Sequence, residues 1–341
     1  MDKTMVIPPE MISIQEAVDT GKNLLVYKAS IMYPYKPIYV GVDGGGQEED
    51  KRYLENKVLQ SRIPRGLFFI YLMNGESVDK LLKVTLGMSE TGFGPKVMLP
   101  GFAVEDFVSA TGVDIYEKLN GKFAQLSFFM DPRHGLMVIL SSKTVPVVFP
   151  LTILDAAASG SAYEPPASGL LGKMFQALGR MWQTIPAAGR IAIIRASLDS
   201  NVTYFMEHCD GLHIVSLPYG EQPNLVITMV LEVAQSLDTS SSRVLRNIGD
   251  MHFTDWLRDV CHVPPENIVA YKQVDIETWN KETVHRFGTS NIFSKPGKSG
   301  LENGTAGYVV HFTMEKDGEI RPMAILKAKN HAYVIMRWAR E

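Results

Sequence analysis

Near the C-terminus, apolar runs of strand length alternate with turn signals, and this pattern constrains the fold more than any other. Residues 308–314, 320–327 and 332–338 are rich in branched and aromatic side chains. Asp317-Gly318 lies between the first two runs and Lys329-Asn330 at the second junction, both suited to hairpin turns. The spacing predicts an antiparallel β-meander. Its last run carries Val334, Ile335, Met336 and Trp338, an edge on which another protein can pair.

The same logic places strands at 24–30, 38–42, 66–73, 97–99, 122–130, 136–141 and 145–149, with DPRHG (131–135) as a hairpin turn. In the second half, strands are expected at 190–196, 201–208 and 225–233. Helices are expected at 13–20, 50–61, 77–87, 103–110, 170–185 and near 253–260. Leu171, Phe175, Leu178, Met181 and Trp182 make the 170–185 segment amphipathic. The two element types mix without a regular βαβ alternation, which predicts α+β: two mixed domains with largely antiparallel sheets and the C-terminal meander. DAAASGSAYEPPASG (155–169) is small, Pro-containing and aperiodic, so it is expected to link a domain of residues 1–154 to one of 170–341. A loose stretch at 287–307 is expected to be mobile or to be ordered by a partner.

Composition narrows the classes. Of 341 residues, 45% are hydrophobic and 21% charged, which describes a folded globule rather than a disordered chain. A formal charge of −3 provides no long-range attraction to nucleic acid. Two cysteines, Cys209 and Cys261, exclude a disulfide framework and fit a reducing compartment. No apolar run reaches the ~18 residues of a membrane helix, and the N-terminus lacks the pattern of a secretory leader. A cytoplasmic protein without a transmembrane segment is expected.

Several motifs carry part of a chemistry. IYVGVDGGGQ (38–47) resembles the opening of the BadF-type ATPases and N-acetylglucosamine kinases, where a strand runs into Asp-Gly-Gly-Gly-Thr. That resemblance implies an actin-like, nucleotide-dependent phosphotransferase with Asp43, Gly44, Gly45 and Gly46 as its phosphate loop. Here Gln47 replaces the hydroxyl residue, and three carboxylates follow at 48–50, which oppose a polyphosphate. A tight turn explains the glycines as well. KPGKSG (295–300) lacks the first glycine of a phosphate loop and reads as a flexible basic loop. His208, Cys209, Cys261 and His262 offer two sulfurs and two imidazoles, a zinc-type set. Adjacent residues in a strand point to opposite faces, however, so each pair chelates poorly. No Gly-x-Ser-x-Gly elbow occurs. No catalytic residue and no cofactor are therefore expected.

Two longer segments, 96–110 with 134–155 and 170–197 with 221–234, resemble the two domains of the SseB family. GRIAIIRAS takes part in the likeness, and Pro223, Asn224 and Leu225 carry its closest match. The resemblance implies a bacterial two-domain α+β protein with a non-enzymatic role. The resulting expectation is an adaptor or subunit that binds another protein or itself, without nucleic acid, in a larger assembly such as a secretion or conjugation machine.

Overall fold

A computed structural model describes five N-terminal strands within residues 24–98. It then describes 110–132, 134–142, 145–162, 165–210, 224–235, 242–276, 307–316 and 318–329. The N-terminal strands are β1 (Leu24–Lys28), β2 (Tyr35–Val42), β3 (Phe68–Asn74), β4 (Ser77–Thr85) and β5 (Lys96–Met98). There follow β6 (Gly112–Glu117), β7 (Lys122–Asp131), β8 (Gly135–Ser141), β9 (Pro146–Pro150) and three helices, α1 (Leu151–Ser159), α2 (Gly169–Thr184) and α3 (Ala187–Asp199). The remaining strands are β10 (Val202–Cys209), β11 (Asn224–Glu232), β12 (Arg243–Leu245), β13 (Asn247–Ile248), β14 (Met251–His252), β15 (Tyr271–Asp275), β16 (Gly307–Lys316) and β17 (Glu319–Lys329).

They form a four-stranded sheet ordered β1-β2-β3-β4, a six-stranded sheet β12-β11-β10-β7-β8-β9, and a five-stranded sheet β15-β6-β16-β17-β5. Strand pairing is antiparallel throughout these sheets. The fold is α+β, as the element pattern predicts. Both larger sheets take strands from each side of 155–169.

Period-two alternation decides how the six-stranded sheet packs. Leu126, Phe128, Val138, Leu140 and Tyr204 join Met174, Phe175, Leu178 and Trp182 of α2 in the main core. The residues between them, Phe129, Met137 and Ile139, pack instead with Phe68 and Ile70 of β3. The six-stranded sheet thus lies between a helical layer and the four-stranded sheet. At the β7–β8 turn, Asp131 accepts from the His134 amide at 2.8 Å. Gly135 follows at φ +75°, a conformation open to glycine.

Three element assignments differ from expectation. Residues 155–159, placed in a linker, lie in α1, where small residues form a helix that ends on left-handed Gly160. Residues 190–196, placed in a strand, belong to α3. Pro186 starts that helix, and Gly189, Ile193 and Ser197 are buried at intervals of four. Its branched residues imitate a strand while the buried face follows helical spacing. Residues 77–87, placed in a helix, form β4 at 77–85. Two register shifts against β3 break the alternation that identifies a strand. The first two meander strands are β16 and β17. The third, with Val334, Ile335, Met336 and Trp338, lies outside the described residues, as do 287–306.

Candidate functional site

The layer between the four- and six-stranded sheets is apolar at one end and polar at the other. Phe68 pairs with Thr85 and Ile70 with Lys83, so these four residues share one face of the smaller sheet. Opposite them, Gln125 pairs with Ser141 and Ser127 with Ile139, on the face that also carries Phe129 and Met137. Phe205 pairs with Gln125, and Thr203, two residues earlier, joins the same face. Lys83, Thr85, Gln125, Ser127, Ser141 and Thr203 are all buried. The Thr85 and Thr203 hydroxyls have no hydrogen-bond partner, which is costly unless a ligand or water meets them.

Lys83 is the ionisable residue of this group and is 2% exposed. Its Nζ donates to the Ser197 carbonyl at 2.9 Å, near the C-terminal end of α3. Burial lowers its pKa to about 7, because an ammonium removed from water loses its hydration. At neutral pH a large share of the amine is therefore uncharged. A neutral amine can donate one N–H to a carbonyl and keep its lone pair, which makes it a nucleophile.

Ser197 organises the surroundings. β7 and β10 pair only as far as Leu126–Tyr204 and then diverge. The Ser197 hydroxyl fills the gap, accepting from the Phe128 amide at 2.9 Å and donating to the Val202 carbonyl at 2.6 Å. Ser127 lies 3.1 Å from it. One buried serine thus continues the strand ladder and sets the carbonyl that Lys83 meets.

A second buried polar cluster joins β6 to the segment after β12. Arg246 grips Asp114 with two donors, at 2.6 and 3.2 Å. The Tyr116 hydroxyl lies 3.0 Å from His252 Nε2, and His252 Nδ1 lies 2.7 Å from the Thr254 hydroxyl. The His252 ring stacks on Tyr271 with centroids 3.9 Å apart. Burial, aided by Arg246, holds His252 down to about 3, and burial does the same to His311. Both rings are neutral: His252 packs and hydrogen-bonds, whereas His311 packs against Tyr116 with its Nε2 unpartnered.

The residues singled out from sequence fare differently. Cys209 and Cys261 are buried in the main core. Burial raises both thiols, Cys261 to about 12, so neither is a thiolate. His208 is buried, with neither ring nitrogen hydrogen-bonded, and burial lowers its pKa. His262 is exposed, with φ +54°. Among the described residues, no group of three or more His, Cys, Asp or Glu side chains is placed to hold a metal ion. Asp43, Gly44, Gly45 and Gly46 lie outside the described residues. Among the described residues, no helix is long and apolar enough to cross a membrane. Lys83 went unnoticed in sequence because a helical reading of 77–87 assigned it to no sheet face. Its one local signal is the alternation of Lys83 and Thr85 around Val84.

No family model matches the chain, and no curated protein sequence does. Among solved structures, an archaeal ATP-dependent RNA ligase is similar over 94% of this chain and 65% of its own, at 11% identity and a TM-score of 0.45. The chain thus spans under two thirds of that ligase. A Naegleria gruberi RNA ligase with PPi is similar over 92% of this chain and 96% of its own, at 10% identity and a TM-score of 0.40. TM-scores below 0.5 establish neither a common fold nor a common active site. These findings correct the SseB resemblance, since no family model supports it and the solved structures found are ligases. With it fall the non-enzymatic adaptor role and the expectation that nucleic acid plays no part; the zinc alternative finds no ligand cluster among the described residues, and the phosphotransferase loop lies outside them.

Proposed function

We propose that the chain is a group-transfer enzyme in which the Lys83 amine accepts a nucleotidyl group from a nucleoside triphosphate. The supporting observation is the placement of a buried, partly uncharged amine between two sheets, among buried hydroxyls of which two lack partners. In the step envisaged, the Lys83 nitrogen attacks the α-phosphorus and the N–P bond forms. The bond from that phosphorus to the bridging oxygen breaks and pyrophosphate leaves. The nitrogen loses its proton to solvent. The phosphoramidate then passes the nucleotidyl group to an acceptor.

Two Naegleria gruberi ligase structures are described with ATP and Mn or with AMP and Mn. ATP with Mn or Mg, and RNA as acceptor, are the reagents to try first.

A lysine that only ties β4 to α3 makes the same 2.9 Å bond. The two roles separate in one experiment. After incubation with ATP labelled at the α-phosphorus and quenching under denaturing, non-acidic conditions, the wild-type chain retains label and Lys83→Met does not. Equal label on both, or on neither, overturns the nucleotidyl-transfer role. Methionine keeps the apolar stem, so Lys83→Met is expected to fold.

A further inference from the structure

Lys83 cannot react while 2% exposed, so something must set its access to the outside. β4 is an edge strand of the four-stranded sheet, and such an edge offers unpaired backbone groups. At Val84, next to Lys83, that edge is occupied by one side chain. The Gln235 Oε1 accepts from the Val84 amide at 3.0 Å, and its Nε2 donates to the Val84 carbonyl at 3.3 Å. The side-chain amide thereby pairs as a one-residue strand would. Nε2 also donates to the Val233 carbonyl at 3.2 Å, which ties Gln235 to its own chain just after β11. Beside it, the Ala234 amide donates to the Ser242 hydroxyl at 2.9 Å, fixing the same corner. The two sheets are thus joined near Lys83 by an amide clasp.

We infer that Gln235 is a positioning residue, a latch that holds β4 against the six-stranded sheet and controls how often Lys83 is exposed. It deepens the nucleotidyl-transfer role proposed for Lys83, yet the latch is measurable without any nucleotide. The Val84 bonds belong to backbone groups, so any residue lacking the amide leaves them open to water. β4 then separates more often.

The test is competitive acetylation of the full chain with acetic anhydride, read peptide by peptide by mass spectrometry, alongside maleimide labelling of Cys261. Gln235→Ala is expected to raise the Lys83 rate about tenfold, the scale of losing two ordinary hydrogen bonds. Cys261, fully buried in the core, should react no faster. Gln235→Glu, which keeps an acceptor for the Val84 amide but loses the donor, should fall between. An unchanged Lys83 rate, or Lys83 and Cys261 accelerating together as in general unfolding, overturns the latch. Accelerated acetylation with no nucleotide label on the wild type leaves the latch standing and removes only the nucleotidyl role.

Discussion

Arg246→Met is expected to destabilise the fold by about 3–5 kcal/mol, the cost of leaving a buried charge without its partner. Asp114 has no solvent exposure, and both its oxygens receive Arg246 donors. Burial pushes the Asp114 carboxyl above its usual range even against the pull of Arg246. Without the guanidinium, the carboxyl must either stay charged in a dry site or take up a proton. The variant's deficit should therefore shrink as pH falls. A carboxyl whose folded pKa is raised binds a proton in the folded state before the unfolded state does, so acid favours folding through it. Denaturant unfolding at neutral and at mildly acid pH measures this. Adding Asp114→Asn should restore part of the loss, because the pair is coupled. A change under about 1 kcal/mol at neutral pH would show that water compensates Asp114 after all.

Gly189→Ala is expected to cost about 3 kcal/mol, at the upper end for overpacking. A Cβ at this position would lie 1.9 Å from the Cys261 carbonyl oxygen and 2.7 Å from its carbon. Both are backbone atoms, so no side-chain rotation relieves the clash. Either α3 or the turn after Trp256–Val260 must shift, which disturbs Leu257 and Cys261 in the main core. Alanine is the better helix former by roughly 1 kcal/mol, and the clash outweighs that gain. Thermal unfolding of the variant reads the balance. A melting point equal to or above the wild type's would mean that α3 does not pack this closely.

Legibility in the sequence depended on whether burial followed a single period. β7 and β8 were readable because one face meets the helices and the other meets β3, giving continuous apolar runs around an Asp-Pro turn. α2 was readable from its stripe, Leu171 to Trp182. β4 was not, because register shifts beside Ile70 and Leu72 disturb the alternation. α3 was not, because Ile191, Ile193 and Ile194 favour strands in isolation while the helix is selected by close contact at Gly189.

The buried polar groups were hardest to see. The partners of Lys83, Asp114 and Arg246 lie more than a hundred residues away. Such pairs leave no spacing to read. Conversely, the Cys209–His208 and Cys261–His262 doublets are conspicuous in sequence, yet the structure seals both thiols in an apolar core.

Nucleotidyl transfer to Lys83 requires an uncharged amine, and a direct titration decides its protonation state. With lysine side chains carrying an NMR label and the Lys83 resonance assigned by its loss in Lys83→Met, the amine is predicted to titrate with a midpoint near 7, as burial dictates. A midpoint close to that of an ordinary exposed lysine, about 10, would mean the amine stays charged between the sheets. It would then be a structural tie to α3, with no nucleophile at neutral pH.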